Sequence, residues 1–248
     1  MDISFQLYSS RDVPSQTAFL STLAEAGYTQ VEGYGGVYED PAGFRAAMDA
    51  VGLAMPSGHF GLSELEEDFE GCVATAKTLG MTQIYAPYLA QEDRPTDSAG
   101  YKAIAARLEA IAPKARAAGF GFGWHNHDFE FVPLEDGAIP MALILRHAPS
   151  ISWEADLAWV IRGQADPVEW LAAFGDRITA VHVKDIAPAG EKTEEDGWAD
   201  VGQGTVDWAG LVARARSVAP KALHVMEHDK PADAARFATT SIASYKTY

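Results

Sequence analysis

Residues 151–185, ISWEADLAWVIRGQADPVEWLAAFGDRITAVHVKD, decide the fold. An apolar run, Ile151 to Asp156, leads through an amphipathic segment to a second apolar run, Ile178 to Val183. Val, Ile and Trp in the two runs favour extended backbone, and Pro167 after an acidic residue marks a helix start between them. Two strands separated by a helix pair in parallel, since an antiparallel pair needs only a short turn. Both runs finish on polar residues: Glu154 and Asp156 in one, His182, Lys184 and Asp185 in the other.

The same unit recurs in both directions along the chain. Further strands are expected at Ile3 to Leu7, Gln30 to Gly33, Leu53 to Phe60, Gln83 to Ala86, Phe120 to His125 and Leu223 to Glu227. Helices are expected between them, starting near Pro14 and Pro41, and a last one runs from Ala232 to about Ala243. Gly27, Gly80 and Gly119 stand where helices end and need a left-handed residue. Eight such units in 248 residues are the length of a closed (β/α)8 TIM barrel, read as a single domain over residues 1–248. An open doubly wound sheet would place a Gly-rich phosphate turn after its first strand. Here that turn is LYSSRDVPSQ, without glycine. The longest irregular stretch, Ile186 to Asp207, is expected to be a functional loop.

Nineteen Lys and Arg against thirty-five Asp and Glu leave a net charge of −16, which repels nucleic acid and anionic membranes. Small-molecule chemistry is the remaining class. One cysteine, Cys72, permits no internal disulfide. The N-terminus carries no basic leader and no stretch reaches the ~18 apolar residues of a membrane span. A cytoplasmic protein is the expectation.

In such a barrel the active site gathers at the C-terminal ends of the strands. Those ends hold Glu32, His59, His125, His127, Glu130, Glu154, Asp156, His182, Lys184, Asp185, Glu227, His228 and Asp229. Imidazoles and carboxylates converging from separate strands suit a divalent cation with a mixed nitrogen and oxygen shell. Of the remaining histidines, His147 reads as a helix C-terminal residue and His224 as a wall residue. Glu154 is open to an outward placement against a helix, and Lys184 and Asp185 to a solvated ion pair. Trp124, Trp159 and Trp198 are candidates for an apolar face under a sugar ring.

At these residues the chain resembles the sugar phosphate isomerase/epimerase family with a xylose-isomerase-like barrel. The likeness runs through LYSSRD, GYTQVEGY, GLAMPSGHF, WHNHDFEF, the Asp156 strand end, HVKD, GQGTVDW and MEHD, over essentially the whole length. It implies a divalent metal, Mn2+ first with Mg2+, Co2+ or Zn2+ as alternatives, held by Asp156, His182 and Glu227. The fourth ligand departs from the family's pattern, because His125 stands where a glutamate is usual. Either His125 takes that place or Glu130 restores a carboxylate, and three carboxylates neutralise the ion better, which favours Glu130.

The resemblance implies an isomerase or epimerase acting on a keto sugar or related polyol. Its chemistry would be removal of a proton next to a carbonyl through a metal-stabilised enediolate. His125 or Glu130 is the expected base, with His127 and Lys184 as further catalytic candidates. Glu32, His59, Trp124, Asp185 and His228 are the expected substrate contacts. A lyase or dehydratase, a 3-keto-glycoside-cleaving enzyme and an inactive sugar-binding protein are the alternatives. The expected partner is a carbohydrate, without nucleic acid or membrane, and pairing of barrels in this family implies a homodimer.

Overall fold

The computed structural model describes residues 2–248. Ten strands follow in chain order: β1 (Ser4–Gln6), β2 (Gln30–Gly33), β3 (Ala54–His59), β4 (Gln83–Ala86), β5 (Gly121–His125), β6 (Ser152–Asp156), β7 (Ile178–Val183), β8 (Asp185–Ile186), β9 (Trp198–Ala199) and β10 (Leu223–Met226). Eight of them close a parallel barrel in the order β1-β10-β7-β6-β5-β4-β3-β2, and β8 with β9 forms a separate antiparallel pair. The closed barrel and its strand count match the sequence expectation.

Alternation along each strand separates two environments. Phe5 of β1 turns outward, wholly buried against Phe19, Tyr28 and Phe237 with ring centroids 5.3 to 6.0 Å apart. Its neighbour Gln6 turns inward and donates to Glu32. The helices bury their apolar faces over the outward residues, and this shell is the hydrophobic core. The barrel interior is instead polar. Near its base Gln83 donates to Ser152 Oγ (2.6 Å) and Thr179 Oγ1 (3.2 Å), and Tyr85 Oη meets the same Thr179 hydroxyl at 2.8 Å.

A register shift between β6 and β7 leaves Thr179 as an extra residue opposite the Trp153–Glu154 step. Such a bulge re-aims side chains, and above it His182 pairs directly with Asp156. Close approach of β5 to β6 requires Gly123, where a Cβ would meet Ser152 Oγ at 2.5 Å and Ser152 carbonyl oxygen at 2.7 Å.

The helix boundaries follow local chemistry. Gly27, Gly80 and Gly119 have φ of +99°, +86° and +95°, as their places at helix ends require. The helix expected near Pro14 begins at Gln16, because Ser15 Oγ accepts from the Ala18 amide and caps it there. The last helix is Ala234–Tyr245, capped by Asp233. The stretch expected as a loop is a folded flap in which β8 and β9 pair, and none of residues 186–207 lines the cavity at the barrel mouth. Among the described residues no helix is long and apolar enough to cross a membrane.

Candidate metal centre and barrel-mouth cavity

Strands β2, β3, β5, β6 and β7, and the residue just after β10, deliver inward side chains to one small volume. His182 of β7 is fully buried and has a carboxylate at each ring nitrogen: Glu227 Oε2 lies 2.8 Å from Nδ1, and Glu32 Oε1 lies 2.7 Å from Nε2. Glu154 of β6 faces inward on the same side, 2.6 Å from His59 Nε2, 3.1 Å from His125 Nδ1 and 3.4 Å from His182 Nε2. Lys184, also fully buried, sits among three carboxylates: Glu227 at 2.8 Å, Asp229 at 2.9 Å and Asp156 at 3.0 Å.

Two donor sets have all their atoms within 4.8 Å of one another: His125, Asp156, His182 and Glu227, and, deeper, His59, His125, Glu154 and His182. His125 Nδ1, Glu154 Oε1 and Asp156 Oδ2 are buried with ionic neighbours, Glu154 Oε2 at 3.1 Å, His182 Nε2 at 3.4 Å and Lys184 Nζ at 3.0 Å, in place of well-aligned hydrogen bonds. Atoms paired in this imperfect way keep coordination capacity that a bound ion can use. The donor types, imidazole nitrogen and carboxylate oxygen from separate strands, therefore fit a divalent cation.

The electrostatics follow the same grouping. Burial disfavours the His59 cation, but Glu154 and Glu32 outweigh it and lift its pKa to about 10. His182 is raised well above the usual histidine range against its burial, by Glu154, Glu227 and Glu32. Burial and the neighbouring Glu32 raise Glu154, whereas Lys184 and His182 hold Glu227 down despite its burial. Burial, Lys184 and other cations drop His127 to about 3, so its ring is neutral. Burial raises Asp229 to about 6, with Lys184 opposing.

Above the donors lies a cavity of about 540 Å³, walled by aromatic residues Tyr8, Tyr34, Tyr88 and Trp159, with His59, His125, His127, Glu227 and Asp229 toward its floor. Its lining includes no Lys or Arg.

The structure places the expected site residues unevenly. His125, Asp156, His182 and Glu227 come together, and His59 and His127 line the cavity. Glu32 lies beneath, wholly buried, accepting from Gln6, Ser57 and His182 rather than facing the cavity. Lys184 is no solvated ion pair but an interior ammonium.

Further expectations are corrected. Glu130 stands apart from the donors, because Oε1 accepts from the Trp124 indole at 3.0 Å and Oε2 from the His127 amide at 2.7 Å. In this arrangement it lies outside the donor set and away from the cavity lining, and burial lifts its pKa to about 8. Trp124 alternates with His125 on β5, so it points into the outer core and offers no face to a sugar. Asp185 accepts from the amides of Ile186, Gly202, Gly204 and Val206, which makes it the anchor of the flap. His228 packs edge-on to Phe237, its Nδ1 accepts from the Lys230 amide, and it does not line the cavity.

Two residues were undervalued in the sequence. Glu154 shares the inward face of β6 with Asp156, a period-two relation that the WEAD spacing already contains. Asp229 carries no comparable local signal, since its partner Lys184 comes from another strand. Of the tryptophans, Trp159 lines the cavity, while Trp198 is buried beneath Arg162.

Comparison with known proteins agrees with this architecture. An inosose dehydratase from Geobacillus kaustophilus (strain HTA426) is 27% identical over 194 residues, which are 69% of this chain and 62% of that protein. The match thus spans less than two thirds of the curated relative's length. A sugar phosphate isomerase/epimerase from Parabacteroides distasonis ATCC 8503 superimposes with a TM-score of 0.80 at 22% identity, covering 98% of this chain and 92% of that one. The IolI protein, whose crystal structure holds a zinc atom, superimposes with a TM-score of 0.79 at 16% identity, covering 100% and 97%. The family model described as xylose isomerase-like TIM barrel matches residues 20–240, and the chain belongs to that family.

Proposed function

We propose that this chain is a divalent-metal-dependent enzyme that removes a proton next to the carbonyl of an unphosphorylated keto sugar or cyclitol and returns it elsewhere, as an isomerase or epimerase. The observation that carries this reading is the convergence of His125, Asp156, His182 and Glu227 under an aromatic-walled cavity. A cation held there would supply Lewis acidity to the substrate's carbonyl and adjacent hydroxyl.

The chain's own residues supply the rest. Lys184 fixes the carboxylates of Asp156 and Glu227 and keeps their mutual repulsion in check. His127 lines the wall as a neutral imidazole able to hydrogen-bond a substrate hydroxyl, and His59, protonated and hydrogen-bonded through Nε2 to Glu154, can donate a proton. Tyr8, Tyr34 and Trp159 offer apolar faces to a sugar ring. A lining without Lys or Arg but with Glu64, Glu227 and Asp229 disfavours a phosphate group.

Elimination of a β-hydroxyl is the second reading. It is favoured by the likeness to an inosose dehydratase and by a protonated His59 in the cavity lining, which can give its proton to the leaving hydroxyl so that water departs.

The test is to supply the purified protein with Mn2+, Zn2+ or Co2+, incubate it with keto sugars and inososes in deuterated water, and follow products by NMR. Deuterium entering the carbon beside the carbonyl, lost at least 100-fold in Asp156→Asn and Glu227→Gln, is the expected result. Retention of no metal and absence of exchange with every substrate would overturn the proposal.

A further inference from the structure

Exposed aromatic rings are rare in this chain, and they are not scattered. Of eleven Phe, nine Tyr and six Trp, only Tyr8 and Tyr88 are exposed among the described residues, at 39% and 46%. Both line the barrel-mouth cavity. Tyr8 follows β1 and Tyr88 follows β4, so the loops after β2 and β3 lie between them and give Tyr34, Gly35, Gly61 and Glu64 to the same lining. Apolar ring surface left in water is unfavourable, and two such rings at one opening point to a ligand that covers them.

Neither ring is loose. The Arg11 guanidinium lies 4.1 Å from the Tyr8 ring centroid, Arg11 Nη1 donates to the Tyr8 carbonyl at 3.0 Å, and Tyr34 stands edge-on to the same ring at 5.5 Å. Arg94 Nη2 donates to Tyr88 Oη at 2.8 Å, its Nε donates to the Leu89 carbonyl at 3.1 Å, and its guanidinium lies 3.8 Å from the Phe129 centroid. His127 approaches Tyr88 edge-on at 5.0 Å. Each exposed ring is thus fixed by an arginine that does not itself line the cavity. Rings held in place before binding give up little conformational freedom when a ligand arrives.

We infer that Tyr8 and Tyr88 flank an outer subsite for a second, uncharged ring, so that the substrate is a keto sugar or cyclitol carrying a ring substituent rather than a free monocyclic one. The inference rests on the sugar chemistry proposed above for the floor of the cavity.

Size and composition agree with it. The cavity of about 540 Å³ falls within the ~300–1,000 Å³ of sites that enclose drug-sized ligands, and a single sugar ring leaves much of it unfilled. A Cβ on Gly35 would meet nothing within 4 Å, so the lining between the two tyrosines is open at that point. Tyrosine faces suit the apolar side of a sugar ring and an aryl group alike. Glu64 and Asp229 in a lining without Lys or Arg disfavour a phosphate or carboxylate on the substituent.

The experiment is an NMR titration of the full chain with three unreactive probes: methyl glucoside, phenyl glucoside and methyl cellobioside. At least one two-ring probe should bind about 3- to 10-fold tighter than methyl glucoside, the gain that an aromatic contact supplies. A gain confined to phenyl glucoside assigns the subsite to an aryl group, and a gain confined to methyl cellobioside assigns it to a second sugar; either result supports the subsite. Tyr88→Ala, and Gly35→Val, which fills the open space, should each reduce the gain to below about twofold. Equal affinity for all three probes in the wild type overturns the subsite whether or not a variant folds, and so does a gain that survives both substitutions. Failure of the proposed function has a different signature: no keto sugar, with or without a ring substituent, exchanges deuterium, while the three affinities still decide the subsite.

Discussion

The ammonium of Lys184 lies 2.8 Å from the Glu227 carboxylate, with both side chains buried at the barrel mouth. The same oxygen of Glu227 faces His182 Nδ1 at 2.8 Å, so one carboxylate answers to a lysine and an imidazole at once. This arrangement holds like charges close together inside a protein, and the fold tolerates it only while the cations stay in place.

Lys184→Met tests that dependence directly. Removing the ammonium leaves Asp156, Glu227 and Asp229 without their shared partner, and breaking a buried pair this way costs about 3–5 kcal/mol. Urea unfolding should show a loss of that order, partly recovered by added Zn2+ or Mn2+ as the cation replaces the missing charge. Unchanged stability without metal would show that the ammonium is not needed to hold these carboxylates.

Asp185→Ala removes the acceptor for four backbone amides in the flap after β7. Each donor left unsatisfied costs on the order of 1 kcal/mol where the flap cannot re-solvate, giving a total of about 2–4 kcal/mol. Limited proteolysis should then cut between residues 186 and 207, where the wild type resists. Wild-type resistance in the variant would mean the flap is held by other contacts.

Glu130 predicts a pH dependence. Its pKa is raised from 4.5 to about 8 by burial, so the folded protein binds this proton more tightly than the unfolded chain does. Its contribution is fully present below about pH 4.5 and is lost as pH rises toward 8. Glu130→Gln cannot ionise, so its stability relative to wild type should improve steadily between pH 5 and pH 8 and level off above. Urea midpoints at pH 5, 7 and 9 check this, and a difference that stays constant across them refutes it.

Trp159 lines the cavity, and its indole nitrogen is without a hydrogen-bond partner. The cavity face of the indole is its ring, so Trp159→Phe trims the apolar wall under a bound sugar and removes about 0.5–1.5 kcal/mol of binding. KM should rise roughly 2- to 12-fold with kcat nearly unchanged. A fall in kcat at constant KM would place Trp159 in the chemistry instead.

Much of the architecture was legible along the chain because its signals are local. Apolar runs ending in polar residues marked the eight barrel strands, and glycines such as Gly27 and Gly119 marked helix ends through a backbone conformation that side chains disfavour. The residues at the strand ends were legible too, since a parallel barrel sends every such end to one face. What each of them does was less so. Glu130 and Asp185 look like site carboxylates in WHNHDFEF and HVKD, yet both spend their oxygens on amides and an indole near them. A carboxylate's partners depend on which N–H groups the turn after it presents, and a residue pattern does not state that.

The sequence by itself determined a barrel of eight parallel strands and the set of acidic and imidazole groups carried to its mouth, because strand and helix periodicity act over neighbouring residues. Only the tertiary structure decided how those groups divide. Glu154 turned inward to meet His59, and Lys184 was enclosed by Asp156, Glu227 and Asp229. These pairings join strands far apart along the chain. They follow from closure of the barrel and the register of its strands, which bring charges within 3 Å that no local pattern connects.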